Sequence, residues 1–465
     1  MASKKIFILL PDGIGLRNFA YTNFHTIGLE KGFDITFWNN TPFNISELGY
    51  KEIKINNPKN HPFTEIYKNA RKQIELNLFI KRFNDTTYNS YRFPFSTKTT
   101  RQKIKTFLTK RIISKYNSEA RIKIILKKIT DLEKKTNYFD DCLKTLQKEK
   151  PDFIFCTNQR PMSAIAPIEA AKQLGIPTAT FIFSWDNLPK ATLVIDTDYY
   201  LVWSEFMKKE LLKYYPDINE KQIVIVGTPQ FENHFDLSLK VEKEVFFKNN
   251  NLDLDKKYIC FSGDDVTTSP NDPQYLKDTA LAVRNLNKNG FNLGIVFRRC
   301  PVDFSDRFDN VLEDYQDVIV PINPLWKKIG EGWNTILPTH EDMILQTNTI
   351  AHTEFVINLG SSMVFDYVCY QKPCVYVNYD VPQSGSSNWS VEKIYKYIHF
   401  RSMPTNNSVI WFNNVDEIEQ KIQSVLEGKV TTVNEATAWF EIINQKPANH
   451  ASERIWDFIN TLTEK

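Results

Sequence analysis

Unbroken apolar runs alternate with helical spacing along almost the whole chain, and this alternation limits the possible folds more than any other feature. Lys5–Leu10 reads as a buried strand. The loop Pro11-Asp12-Gly13-Ile14-Gly15 follows it, then a helical pattern through Phe19, Phe24 and Leu29 that Gly32 ends, and Asp34–Trp38 reads as the next strand. Strand signals resume at Asp152–Cys156, Thr178–Phe183, Tyr199–Trp203 and Ile223–Val226. A polar, Asn/Asp/Lys-rich stretch over 236–256 predicts a linker. A second series then begins, with strands at Tyr258–Phe261, Leu293–Phe297, Val318–Val320, Thr335–Leu337, Phe355–Asn358 and Cys374–Asn378. The reading is an α/β chain of two doubly wound parallel sheets, residues 1–238 and 255–445, facing a central cleft. A last helix in 446–465, with Ile455, Trp456 and Ile459 on one face, is a candidate to pack back on the first domain.

Residues 65–150 break the alternation. They lack glycine, carry helical spacing (Ile104, Leu108, Ile112; Ile122, Ile125, Leu126), and predict a basic helical insertion in the first domain. The chain's net charge is only +3, yet Lys68 to Lys150 hold 22 Lys+Arg against 8 Asp+Glu, so the remainder carries −11. Such a block suits an anionic partner or a solvated helical face. Within it, Phe79, Phe83, Tyr91, Phe93 and Phe95 can either dip into a membrane interface or pack on the first domain. Nucleic acid is not expected, because none of its recognition motifs is present. Six cysteines without a CxxC pair read as reduced core residues of a cytoplasmic protein. No stretch reaches 18 apolar residues, so no membrane span is expected.

The most informative segment is Glu354–Asp380. An apolar strand ends at Gly360-Ser361-Ser362, which open a helix bearing Asp366, and Lys372-Pro373 lead into the next strand. Amides and hydroxyls at a helix start suit phosphate, and a carboxylate one turn on suits ribose hydroxyls. This segment resembles the donor-binding signature of GT-B glycosyltransferases of the bacterial capsule and teichoic-acid type, including glycerophosphotransferase-like members, with Asp366 where that family commonly has Glu. The resemblance implies two Rossmann-like domains in the GT-B arrangement. It implies phosphate contacts from Gly360, Ser361 and Ser362, and a ribose contact from Asp366.

Three further loops fit the same scheme. The strand Gly294–Phe297 delivers Arg298 and Arg299, whose planar forks suit a diphosphate; Cys300-Pro301 stands where the family often has His-Pro. In GT-B proteins the loop after the second domain's first strand approaches the donor, which implies contacts from Ser262 and Gly263. Asp264 and Asp265 beside them invite a metal, but neighbours on a loop usually face apart and no metal is expected. His340, at a helix start, is a candidate donor contact or an ordinary cap.

The resemblance puts the N-terminal loop, with Gly13 and Gly15, on the acceptor side. An inverting transfer needs a base; Asp12 is the first candidate, His25 the second and Asp186 the third, with Trp185 a candidate to stack on a sugar. The expected activity is metal-independent transfer of a sugar from a nucleotide-sugar, most simply a UDP-sugar, with CMP- or CDP-linked donors as alternatives. The acceptor would be a cell-surface glycan or a lipid-linked hydroxyl, met by a cytoplasmic enzyme whose basic block touches anionic membrane at its inner face. A polyol-phosphate transferase, a sugar-nucleotide 2-epimerase and a non-catalytic glycan- or partner-binding module are the alternatives.

Overall fold

A computed structural model describes residues 3–329, 336–382 and 389–463. The chain divides into two units, Met1–Pro229 with Ile443–Lys465, and Gln230–Ile442.

The first unit is built on seven parallel strands: β1 (Lys5–Leu10), β2 (Asp34–Asn39), β3 (Glu52–Lys54), β4 (Phe153–Cys156), β5 (Thr178–Phe181), β6 (Tyr199–Val202) and β7 (Ile223–Ile225). Their order is β3-β2-β1-β4-β5-β6-β7. β1 lies between β2 and β4, with Phe7 opposite both Thr36 and Ile154. The order therefore reverses between β1 and β4, and the loops after those two strands leave from the same edge. In open sheets of this kind that is where ligands sit. β3 has no apolar run, and its three residues are only half-buried at the sheet edge, which is why its sequence gives no strand signal.

The basic insertion forms the helices Thr64–Phe83, Thr100–Tyr116, Glu119–Glu133 and Asn137–Glu149. They have a real core: Ile74, Leu78, Ile125, Ile129, Phe139, Cys142 and Leu146 pack with Ile154 and Cys156 of β4. After Asn84, Thr86–Tyr91 make a 3₁₀ turn that buries Tyr88 and Tyr91. Phe79 is buried too, whereas Phe93 is 78% exposed.

The helix Ala451–Thr463 packs on this same unit. Trp456 is fully buried, stacks on Phe24 and Phe33 at 4.8 and 5.0 Å between ring centres, and donates from Nε1 to the Phe24 carbonyl at 2.7 Å. Gly28 makes this possible, because a Cβ there would lie 2.4 Å from the indole.

The second unit repeats the plan with β8 (Lys257–Ser262), β9 (Leu293–Arg298), β10 (Ile319–Pro321), β13 (Val356–Asn358), β14 (Cys374–Val377) and β15 (Ile410–Phe412), in the order β10-β9-β8-β13-β14-β15, all parallel. A short antiparallel ribbon, β11 (Lys327–Lys328) with β12 (Ile336–Leu337), stands apart from the main sheet. The strand expected over Thr335–Leu337 is not part of the parallel sheet: Ile336–Leu337 lie in this ribbon, and Thr335 lies outside the described residues. The order reverses between β8 and β13. The polar stretch 236–256 is not an extended linker: the helix Lys243–Asn249 buries Phe246 and Phe247 against Leu252, Tyr258, Val296 and Ile322. Two adjacent phenylalanines were enough to anchor it despite the polar surroundings. All six cysteines are free thiols, and four of them are buried.

Candidate functional site

In the first unit, the loops after β1 and β4 meet at the order reversal. Asn158 Nδ2 donates to Oδ2 of Asp12 at 2.9 Å, and the Ile14 amide approaches Oδ1 at 3.3 Å. Burial pushes the Asp12 carboxyl above its usual range; the Asn158 bond and the charge of Arg160 oppose that shift without cancelling it. A carboxylate raised in this way at a strand tip has the properties of a general base. Gly15 is required beside it, since a Cβ would stand 2.4 Å from Thr157 Oγ1. Gly13 caps the helix Ile14–Phe19 and is buried.

A second polar chain runs from β4 to the loop after β5. Gln159 Oε1 accepts the Phe183 amide at 3.0 Å, and its Nε2 donates to Asn187 Oδ1 at 3.1 Å. Asp186 accepts from Ser184 Oγ at 2.7 Å and Asn187 Nδ2 at 2.8 Å, and pairs with Lys190. Asp12 and Asp186 thus belong to two polar chains that meet only at the adjacent residues Asn158 and Gln159; Asn158, Gln159 and Asn187 carry no sequence signal of their own. Trp185 is buried, only 4% exposed. His25 is elsewhere in character: its ring stacks on Tyr50 at 3.9 Å between centres and on Phe37, and burial lowers its pKa.

In the second unit, the loops after β8, β9 and β13 adjoin. Ser262 ends β8 opposite Arg298, and the Gly263 amide donates to the Arg298 carbonyl at 2.9 Å. Gly263 has little room; a Cβ would stand 3.3 Å from Phe297. Gly360 has φ +69°, and a Cβ would meet Phe400 at 3.0 Å, so both backbone and space demand glycine. The Ser361 amide is held by Asn358 Oδ1 at 2.8 Å, and its carbonyl accepts from Tyr376 Oη at 2.8 Å. Ser362 precedes a helix, Met363–Val368, of only six residues. Asp366 is 2% exposed, and His234 Nε2 lies 2.8 Å from its Oδ1. No sequence signal linked that histidine to it.

The two arginines differ. Arg298 is buried, and its Nη2 contacts both carboxylate oxygens of Asp342, at 2.9 and 2.8 Å. Asp342 also accepts from the Leu325 amide and Trp326 Nε1, each at 2.7 Å. Nη1 of Arg298 is buried with no hydrogen-bond partner among the described residues. Arg299 turns to the carbonyl of Ser305 at 2.7 Å and lies over Phe308. His340 opens the helix His340–His352 after the capping residue Thr339. Asp264 is the surprise of this edge. Its Oδ2 is buried with no hydrogen-bond partner among the described residues, and burial together with Asp272 and Asp265 raises its pKa, against the pull of Arg307. Among the described residues no group of three or more His, Cys, Asp or Glu side chains could hold a metal ion, and no helix is long and apolar enough to cross a membrane.

No protein-family model and no curated protein matches the chain. Solved structures do match along its whole length. A putative UDP-N-acetylglucosamine 2-epimerase from Listeria monocytogenes superposes with TM-score 0.58 at 10% identity, covering 100% of this chain and 97% of that one. A glycosyltransferase from Rickettsia africae gives 0.53 at 12% identity, covering 100% of both chains. The S. aureus MnaA–UDP co-structure gives 0.52 at 12% identity, covering 99% of this chain and 97% of that one. With two Rossmann-like parallel sheets of seven and six strands, the chain has the GT-B fold.

Proposed function

We propose that the protein is a glycosyltransferase that takes a sugar from a nucleotide-sugar and delivers it to a hydroxyl of a glycan or lipid-linked acceptor. The observation that carries this reading is Nη1 of Arg298, a buried guanidinium nitrogen at the tip of β9 with no hydrogen-bond partner among the described residues. Leaving such a donor unmade is costly, and a diphosphate oxygen would satisfy it. Gly263, Ser262 and the Gly360-Ser361-Ser362 turn are the proposed companions, with His340 and Asp366 as proposed donor contacts. In the transfer, the acceptor oxygen bonds to the anomeric carbon as the bond from that carbon to the phosphate oxygen breaks. Asp12 takes the acceptor's proton, and Arg298 offsets the charge gathering on the nucleoside diphosphate. Trp185 and Asp186 are the proposed acceptor-side residues, and His25 the weaker candidate base given its aromatic stack. A thermal-shift screen of UDP, CMP, CDP and GDP tests the donor assignment: one nucleotide should raise the melting temperature of the wild-type protein and fail to do so in Arg298→Met.

A second reading has specific support. The Listeria and other structural neighbours bear the name UDP-N-acetylglucosamine 2-epimerase. An epimerase would convert UDP-N-acetylglucosamine with no acceptor added, and proton NMR of the nucleotide-sugar incubated alone separates the two.

A further inference from the structure

We propose that the first unit carries a phosphate-binding site, formed by Lys68, Lys72, Arg160 and Lys190, which holds a phosphorylated acceptor beside Asp12. The four cations come from three places in the chain. Lys68 and Lys72 lie one turn apart on the helix Thr64–Phe83 and share a face. Arg160 follows the Asn158-Gln159 pair after β4, its amide held by Asn158 Oδ1 at 3.1 Å. Lys190 closes the 3₁₀ turn after β5. All four are half-buried.

Their charges are poorly matched by protein. Among the described residues, the side chains of Lys68, Lys72 and Arg160 form no hydrogen bond and no ion pair; only Lys190 has a carboxylate partner, Asp186. Glu65 acts on Lys68 from a distance but is itself paired with Lys105. Lys72 Nζ lies 4.9 Å from the centre of the Phe93 ring, which gives it a weak neutral partner only. Burial and the neighbouring charges of Lys68, Lys190 and Arg160 together push Lys72 down to about 8. Crowding like charges in a half-buried place works against folding. An arriving dianion removes that penalty, and it would gain charge-assisted hydrogen bonds from three donors with none to displace. Three unpaired cations exceed what a single carboxylate can offset; a phosphate, with its second charge and three oxygens, suits them better. Arg160 also acts on Asp12, so the bound group would lie near the candidate base. Assigning the phosphate to the acceptor rests on the transferase reading above, whereas the site itself does not.

Two measurements test this. Calorimetry with sodium pyrophosphate should show binding to the wild-type protein that weakens roughly 10- to 100-fold in Lys68→Met/Lys72→Met, while Lys72→Arg retains it. In the unaltered protein, brief acetylation read by mass spectrometry should modify Lys72, and pyrophosphate should protect it. Equal pyrophosphate affinity in a folded double variant, or no protection of Lys72, overturns the site. Protection by glycerol phosphate supports a soluble phosphate ester, and protection by phosphatidylcholine vesicles doped with phosphatidate supports a lipid headgroup. Protection of Lys72 by UDP overturns the acceptor assignment, because the phosphate would then be the donor's. The donor reading itself stands or falls separately, on Arg298→Met.

Discussion

Asn158 reaches Asp12 across 2.9 Å from a position 146 residues later in the chain. The bond lowers a carboxyl that burial raises, so it tunes the candidate base. Asp12→Asn should cut transfer by about 10²–10⁴-fold while leaving nucleotide binding intact. Asn158→Leu removes the lowering bond, so the acid limb of the rate profile should move to higher pH. Rates across a pH series on both variants check this; an unmoved limb would mean that another group is the base.

Arg298 and Asp342 form a buried pair whose two members have different further duties. Arg298→Met should lose roughly 1.5–3 kcal/mol of nucleotide affinity, the worth of a hydrogen bond to a charged group. Asp342→Asn strands the guanidinium and should cost about 3–5 kcal/mol of stability. Removing either member leaves the other buried without its counter-charge, so both variants should be less stable by urea unfolding, while calorimetry on the folded protein reads the affinity lost in Arg298→Met.

At Gly360 the backbone and the neighbours agree. Gly360→Ala would force a side chain into φ +69° and against Phe400. We expect a loss of about 1–3 kcal/mol by chemical denaturation. Full stability in that variant would mean that the turn relaxes freely.

Glu210, on the helix Glu205–Tyr214, gives a pH prediction. It is buried, its Oε2 has no hydrogen-bond partner among the described residues, and burial with the charge of Asp186 raises its pKa to about 8, against Lys213. The folded state therefore holds this proton more firmly than the unfolded chain does. Its stabilising contribution is complete below its ordinary 4.5 and falls away as pH rises to about 8. Glu210→Gln should be relatively more stable at pH 8 than at pH 4, and parallel melting curves at the two pH values report the difference.

Trp456→Ala should cost about 3–5 kcal/mol, because it empties a stacked site and removes the indole's hydrogen bond to the Phe24 carbonyl. Urea unfolding measures it.

The sheets were readable because buried parallel strands are written as continuous apolar runs; Lys5–Leu10 and Leu293–Phe297 differ from the observed β1 and β9 by at most one residue. Glu52–Lys54 escaped notice because an edge strand needs no such run. Much of the site's polar detail escaped for another reason. The partners of Asp12, Arg298 and Asp366 are Asn158, Asp342 and His234, separated from them by 146, 44 and 132 residues. Local pattern reports what a residue can do, while the fold decides what it meets. The cation group at Lys68, Lys72 and Arg160 shows the same limit: a Lys-rich helix is ordinary in sequence, and only the sheet edge brings Arg160 to it.

The stacking of Trp456 on Phe24 also sets an order of events during synthesis. The ribosome releases residues 230–442 before it makes the segment that completes the first unit. The N-terminal sheet must therefore wait, with the groove between Phe24, Gly28 and Phe33 uncovered, until the helix Ala451–Thr463 emerges. A nascent chain stalled short of Ala451 would display that apolar groove to chaperones, and a bulky fusion close behind Thr463 would tax its closure more than one placed ahead of Lys5.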